Sequence, residues 1–408
     1  MNPISLSPEL LSEIHLGDAI ALQRGFDITK AEQSEGDVPI VSSSGVSSFH
    51  NKWRVAGPGV VIGRKGTLGT VHYLEENFWP HDTTLWVKDF KGSNPRFVAY
   101  FLKTLHLENF DTGASNPTLN RNHVHKIRVK YPRPEAHSHI VAVLSAYDDL
   151  IENNRRRIAL LERMAEQLYR EWFVRFRLPG YQQLRFEKGK PARWVHGKLS
   201  SLISPAGVTT GKRPKGGAES TGIPSIGAEN VDGLANYNYA KEKFISEEFF
   251  LSMKRGHVHD RDVLFYKDGA DIGRVGLFQD EYPHKRCCVN EHVFLLRASN
   301  PIYQYLIYFY LRQQQVNEYV KLINKNAAQP GINRDELLSI PILVPVKEVV
   351  VEFNRLIEPM VHQIFNLAKA NKCLASTRDL LLPRLISGKL RVDDLDIQFP
   401  PSMQTEHA

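Results

Sequence analysis

Residues 113–132 read GASNPTLNRNHVHKIRVKYP, and residues 326–345 read NAAQPGINRDELLSIPILVP. Aligned at a constant offset of 213, the two segments share six identities, including the frame Pro-x-(Leu/Ile)-Asn-Arg and a closing Pro after a strand-like run. The same offset pairs residues 113–176 with 326–389 without a gap, so one unit of chain is used twice.

The hydrophobic pattern downstream gives the repeat physical content. The first copy places Ile140, Leu144, Tyr147, Ile151, Asn154, Ile158, Leu161, Ala165, Leu168 and Trp172 at alternating spacings of four and three. The second places Phe353, Ile357, Met360, Ile364, Leu367, Asn371, Leu374, Arg378, Leu381 and Leu385 at the corresponding positions. A 3.5-residue period held this long keeps one stripe turned toward a lengthwise partner. Each helix would run roughly 40 residues, or ~60 Å at ~1.5 Å per residue. Such a stripe also suits a core helix in a bundle. An Asn at one seam position of each copy, Asn154 and Asn371, favours pairing between the copies, because a buried amide fixes register. Pro132 and Pro134 precede the first helix and Pro345 the second. Pro179-Gly180 is expected to end the first, and Pro383 with Ser387-Gly388 to break the second.

Upstream of each helix the pattern changes to short strands and turns. GVVIGRKGTLGTVHYL (59–74) is followed by FWPHDTTLWVK, and DVLFYKDGADIGRVGLF (262–278) by CCVNEHVFLLR. The common frame is strand, basic residue, Gly-containing turn, strand. Farther upstream, DVPIVSSSGV (37–46) resembles GIPSIGAENV (222–231) at an offset of 185, so 28 extra residues intervene in the second copy. The helical half is fixed in length and the strand-rich half is not, which suggests a constant frame carrying variable specificity.

The expected fold is α+β: two globular strand-rich domains separated by two long helices paired as an antiparallel coiled coil, with a pseudo-twofold internal repeat. The expected boundaries are a domain at 1–134, a helix at 135–178, a domain at 179–347, a helix at 348–390 and a tail at 391–408. The chain of 408 residues is 42% hydrophobic and 24% charged, enough for two cores. No apolar run approaches the ~18 residues of a membrane span, and the N-terminus lacks a signal-peptide pattern, so a cytosolic protein is expected. Cys287, Cys288 and Cys373 stand in no CxxC pair, which disfavours a disulfide framework or a zinc site.

The net charge is +7. Residues 1–134 carry 15 basic and 13 acidic side chains, 135–178 carry 7 and 7, 179–347 carry 23 and 17, and 348–408 carry 7 and 8. The positive excess therefore lies in the strand-rich segments, where a polyanionic partner would be met. Two heads related by a twofold axis match the local symmetry of double-stranded DNA. Heads ~10 bp apart would be separated by ~34 Å along the duplex, within the reach of the rod.

The chain resembles the specificity (S) subunits of type I restriction-modification systems over about residues 1–390. The residues carrying the resemblance are the two Pro-x-(Leu/Ile)-Asn-Arg segments, the helix AYDDLIENNRRRIALLERMAEQLYREWFVRF, and RDLLLPRLISGKLRV near the end. The resemblance implies two target recognition domains, each reading one half of a split DNA sequence, with helices that set the spacer. It also implies partners: two methylase (M) subunits docked on the helices and motor-nuclease (R) subunits in the full complex. No cofactor and no catalytic residue is implied for the chain itself. The cluster Arg155-Arg156-Arg157 and the Arg at seam position 378 depart from an ideal paired seam.

Searches for catalytic motifs agree with a recognition subunit. GVVIGRKGT lacks the Gly-Lys-Ser/Thr ending of a phosphate loop, and GADIGRVG does not meet a dinucleotide fingerprint. SNPTL (115–119) lacks the second Pro and the aromatic residue of an amino-methylase motif. The pairs His123/His125, His137/His139 and His257/His259 lack matching Cys or carboxylate neighbours for a metal. No serine sits in a nucleophile elbow. An alternative class is a helical scaffold presenting two repeated protein- or ligand-binding domains.

Phosphate contacts need cations or exposed backbone N–H groups, and base reading needs bidentate side chains. The DNA-binding candidates are Arg64, Lys65 and Thr67 in the first domain, and Lys212, Arg213, Lys215, Lys267 and Arg274 in the second. Arg121 and Arg334 are the residues of the Asn-Arg frames expected to add a phosphate contact. The loop TTGKRPKGG stands out for three cations within four positions beside glycines. Asn120 and Asn333 are expected to cap short helical turns, with Asp335 and Glu336 well placed in the second. The arginines 155–157 point to a solvated helix exterior or a partner contact, and YREWFVRF (169–176) to core or docking surface.

Overall fold

The computed structural model describes residues 11–110, 118–230, 232–269, 271–324 and 331–390. The prolines of the two Asn-Arg frames, most of SNPTL, Ala270 of the DGADIG turn and the tail 391–408 lie outside these residues. The chain divides into two compact units, Met1–Ile151 with Cys373–Ala408, and Glu152–Lys372.

The first unit opens with β1 (Leu11–His15), α1 (Leu16–Ala19) and β2 (Ala21–Arg24), followed by β3 (Val38–Ser42) and β4 (Gly45–His50). Next come β5 (Gly59–Gly63), β6 (Val71–Leu74), β7 (Trp79–Pro80) and β8 (Thr84–Asp89). After α2 (Pro95–Lys103) and α3 (Arg121–His125), β9 (Arg128–Pro132) returns antiparallel to β1. One sheet has the order β2-β8-β5-β6 and a second the order β4-β3-β7, with β7 parallel to β3. The run GVVIG of β5 is buried at every position. Val60 and Ile62 enter the core with Leu85, Phe97 and Phe101, whereas Val61 packs with Val41, Val55 and Phe78. Alternate side chains thus serve two cores, and this is why the sequence shows an apolar run rather than an alternation. Asn94 caps α2 through Phe97 N at 3.1 Å, with Pro95 in the first turn, where its missing N–H costs nothing.

A long helix, α4 (Pro134–Tyr169), begins in the first unit and continues into the second. There follow a hairpin of β10 (Phe186–Glu187) and β11 (Lys190–Pro191), then β12 (Val195–Lys198), β13 (Val208–Thr210), β14 (Ile223–Ile226) and β15 (Gly233–Leu234). Then come β16 (Phe244–Ile245), α5 (Glu247–Ser252), β17 (Val263–Tyr266), β18 (Val275–Leu277), β19 (Cys288–Val289) and β20 (Val293–Leu296). Helices α6 (Gln304–Leu311), α7 (Gln314–Ile323) and α8 (Arg334–Leu338) lead to β21 (Pro341–Val344), and α9 (Lys347–Ile386) runs from this unit back into the first. The sheets are β13-β20-β17-β18-β15 and β16-β14-β19, with β19 parallel to β14, and β12 pairs with β21 as β1 does with β9.

Matching hydrogen bonds locate the extra residues of the second copy. His81 N donates to Val41 O and Asn290 N to Ile226 O; Leu119 N donates to Arg64 O and Ile332 N to Lys267 O. Arg64 N donates to Thr83 O and Lys267 N to His292 O. The offset is therefore 185 at Val41/Ile226, 203 at Arg64/Lys267, 209 at Thr83/His292 and 213 at Leu119/Ile332. Most of the insertion falls between β14 and β17, where it builds β15 and α5.

The seam residues divide by depth. Ile140, Leu144, Ile151, Asn154, Phe353, Ile357, Ile364 and Leu367 are buried, while Ile158, Leu161, Leu168, Asn371, Leu374 and Leu381 are half-buried. Tyr169 and Phe173 are more buried than Leu168, and Val361 and Phe365 lie beside the buried Ile364, so the stripe widens where the helices meet the globular cores. The helix ends differ from expectation. The first stops before Pro179-Gly180: it passes through a wider turn at Arg170–Val174, and Phe176 at φ 58° breaks the helical conformation. Pro383 does not break the second, which runs through it to Ile386; the end comes at Gly388 with φ 71°. Of YREWFVRF, Tyr169, Trp172 and Phe173 are core, packed near Phe353 and Trp194. The arginines 155–157 are exposed, two of them paired with Glu152.

Candidate nucleic-acid interface

The β5–β6 connection carries the first group of candidate cations. It is a turn closed by Gly63 N to Thr70 O at 2.8 Å and Gly69 N to Gly63 O at 2.9 Å. Gly69 has φ 72° and its Cα faces Glu108 N so closely that a Cβ would lie 2.5 Å from it, so only glycine fits. Arg64 carries the Leu119 hydrogen bond on its carbonyl, and Lys65 bridges Thr118 antiparallel. The basic turn and the Asn-Arg frame are thereby joined. Asn120 then caps α3 through Asn122 N at 2.9 Å, leaving Arg121 exposed in its first turn. The seryl turn between β3 and β4 reaches the same edge, where Ser43 Oγ donates to Lys65 O and to Thr83 O.

Asp82, just before β8, organises this edge. Its carboxylate pairs with Arg24 at 2.8 Å, with His81 at 3.2 Å and with Lys65 at 4.0 Å, and its carbonyl accepts from Arg64 at 3.3 Å. Burial alone would raise the Asp82 carboxyl; the Arg24 hydrogen bond and the charges of His81, Arg24 and Lys65 outweigh it and hold the group below its ordinary range. Arg64 is lowered, by partial burial first and by the neighbouring Arg24 charge second. Thr67 is exposed on the turn.

The second unit repeats the arrangement with different residues. Tyr266 N donates to Arg274 O and Gly273 N to Tyr266 O, both at 2.9 Å, closing the β17–β18 turn in which Gly273 has φ 91°. Lys267 accepts the Ile332 hydrogen bond on its carbonyl, and its ammonium meets Asp268 at 2.7 Å. His292 contacts Asp268 at 2.8 Å and Glu291 at 3.3 Å, and Glu291 holds Arg213 at 2.7 Å. Two candidates far apart in sequence, Lys267 and Arg213, are thus linked through Asp268, His292 and Glu291. Lys212 and Lys215 are exposed and make no ion pair among the described residues. Arg274 pairs with Asp271 at 2.9 Å, one side of the same turn. Arg334 follows the Asn333 cap, whose capping box with Glu336 is complete, and it borders a groove of about 310 Å³ lined also by Thr209, Thr210, Arg255 and Phe294.

Sequence reasoning therefore found the basic turns and the Asn-Arg frames but missed Arg24, Asp82, Arg255, Glu291 and His292. The signal lay in the pairs Asp-Thr at 82–83 and Glu-His at 291–292, which stand before matching strands at an offset of 209, a shift visible only with strand positions in hand. Among the described residues, one group, Asp27, His81 and Asp82, places three possible metal-binding atoms together. None of the three histidine pairs does so: His125 Nε2 accepts from Leu22 N, and His137 and His257 bond the carbonyls of Pro132 and Phe250.

The arrangement offers cations, hydroxyls and backbone N–H groups on an open edge of each sheet pair. These can contact phosphates and base edges. A family model described as "Type I restriction modification DNA specificity domain" matches residues 8–163. The type I restriction enzyme MjaIX specificity subunit of Methanocaldococcus jannaschii is 25% identical over 315 residues, covering 74% of this chain and 71% of the relative. The HindI specificity subunit of Haemophilus influenzae is 21% identical over 327 residues, covering 67% and 71%. In fold the chain is similar to the crystal structure of a type I restriction-modification system S subunit from M. genitalium, with a TM-score of 0.57 at 15% identity, covering 95% of this chain and 99% of that one. By the domain matched over residues 8–163 and by these relatives the chain is similar to type I restriction-modification specificity subunits, and it shares the fold of the S subunit from M. genitalium.

Proposed function

We propose that this chain recognises a bipartite DNA target, one half-site per strand-rich domain, and directs methylase and motor-nuclease subunits to it in the cytosol. The observation that carries the reading is the pair of matched edges. Each unit sets a basic turn against the segment before an Asn-Arg helix cap, beside a carboxylate-held arginine. The residues proposed to face DNA are Arg64, Lys65, Thr67 and Arg121 in domain 1–134, and Lys212, Arg213, Lys215, Lys267, Arg274 and Arg334 in domain 179–347.

The helices, proposed at 135–178 and 348–390, act as the spacer. Antiparallel pairing as a coiled coil with approximate twofold symmetry is supported inside the second unit by two contacts. Asn154 meets Asn371, and fifteen residues later Tyr169 meets Phe353, earlier in α9. In the first unit Asp148 pairs with Arg378, in the same sense. The exposed helix faces, including arginines 155–157, are the proposed docking surface for two methylase subunits.

A gel shift of the full chain against a randomised duplex library, with and without its methylase subunit, tests the reading. Enrichment of a split motif with a fixed gap is expected. Absence of enrichment even with the methylase present would favour a protein- or ligand-binding scaffold.

A further inference from the structure

Asp82 and Glu291 occupy equivalent places, one residue before the matched pair Thr83 and His292 whose carbonyls accept from the basic turns. Each holds an exposed guanidinium, Arg24 at the end of β2 and Arg213 in the chain following β13. Arg24 Nη2 lies 2.8 Å from Asp82 Oδ2, and Arg213 Nε lies 2.7 Å from Glu291 Oε1. The two strand-rich domains differ in length, yet both place a carboxylate among the cations of this edge. The arginine side chains are more than half exposed, and the acids are not, with 17% of the Asp82 side chain and 32% of that of Glu291 accessible. Each carboxylate is thus sunk behind the cation it restrains. Glu291 Oε2 is buried with no hydrogen-bond partner among the described residues, and Arg213 meets the carboxylate through Oε1.

A carboxylate in a polyanion-binding edge has two physical consequences. It adds like-charge repulsion toward any phosphate brought close, and this penalty applies to every duplex whatever its sequence. It also fixes a guanidinium that would otherwise swing freely, and a fixed planar fork is what bidentate contact with a guanine edge needs. Both effects lower non-specific affinity relative to specific affinity.

We propose that Asp82 and Glu291 are specificity-determining residues, one per unit, which position Arg24 and Arg213 for base contact and oppose non-specific attachment to the phosphate backbone. The proposal rests on the DNA-recognition reading. Its test uses the full chain with its methylase subunit, measuring affinity for the selected duplex and for a scrambled one across a salt series. Asp82→Asn and Glu291→Gln should each tighten scrambled binding several-fold and reduce the selected-to-scrambled ratio by about tenfold. Each should steepen the scrambled salt slope by about 0.9, as one arginine is released to a phosphate. The relaxation should be confined to one half-site for Asp82→Asn and to the other for Glu291→Gln. Arg24→Gln should lower affinity for the selected duplex and leave the scrambled one nearly unchanged, a result readable even if Asp82→Asn does not fold. Unchanged ratios in the folded variants, or weaker scrambled binding, would overturn the proposal while a wild-type preference for the selected duplex stands. Absence of that preference in the wild type would overturn the recognition reading itself.

Discussion

Asn154 Nδ2 donates a hydrogen bond to Asn371 Oδ1 at 2.9 Å, joining residues 217 apart in sequence along two largely apolar helix stripes. Asn154 is only 4% exposed, so its amide depends on this partner. Asn154→Ala strands Asn371 and should cost about 1–3 kcal/mol in chemical denaturation. Replacing both by Leu should recover most of that loss, because an apolar pair needs no satisfaction, while loosening the register. A double Leu variant as unstable as the single Ala would contradict the register role.

The TTGKRPKGG loop is open to a salt-dependence measurement. Lys212→Ala and Lys215→Ala should each flatten the slope of log K against log[salt] by about 0.9, since neither ammonium makes an ion pair among the described residues. Arg213→Ala should flatten it less, because Glu291 already neutralises that guanidinium. A slope unchanged in the triple variant would remove the loop from the interface.

His137 gives the first unit a pH dependence. Its ring stacks on Phe97 with centroids 3.6 Å apart, and Nε2–H donates to Pro132 O at 2.9 Å. Burial is the main cause that pushes its pKa down to about 4, against a smaller upward pull from the Pro132 carbonyl. A depressed histidine is neutral in the folded state, so protons favour unfolding. The stability is fully present above the unfolded pKa of about 6.5 and is lost as pH falls toward the folded value. Between pH 7 and pH 5 the contribution should fall by roughly 2 kcal/mol. His137→Phe keeps an aromatic ring on Phe97 and should remove that part of the slope; identical pH profiles would contradict the assignment.

How much of this was legible in the sequence depended on the range of the interaction. The helix stripes, the Asn120 and Asn333 caps and the strand–Gly turn–strand frame are local patterns, and each has its physical cause within a few residues. The helix ends depart from the local rule: Pro383 lies inside α9 without ending it, and Phe176 takes a positive φ ahead of Pro179-Gly180. The carboxylates Asp82 and Glu291 were invisible because their meaning lies in arginines 58 and 78 positions away. The parallel insertion of β7 and β19 beside β3 and β14 is likewise a tertiary choice, made by cores that bury both faces of β5 and β17.

The two edges should act independently. Arg64→Ala with Lys65→Ala should weaken discrimination at one half-site only, and Lys267→Ala with Arg334→Ala at the other, because well-separated contacts contribute additively. Selection profiles of the two double variants would show this as loss of information in opposite halves of the motif. Loss spread over both halves would contradict the assignment of one half-site to each domain.

The most direct test of the central claim, two reading heads held apart by a helical ruler, is to insert seven residues into both α4 and α9 and repeat the duplex selection beside the wild-type chain with its methylase subunit. The insertion lengthens each helix by ~10 Å, about three base pairs of duplex. The two half-sites should be unchanged in sequence and the gap between them altered. A motif with no gap, or a gap that stays the same after the insertion, would contradict the account.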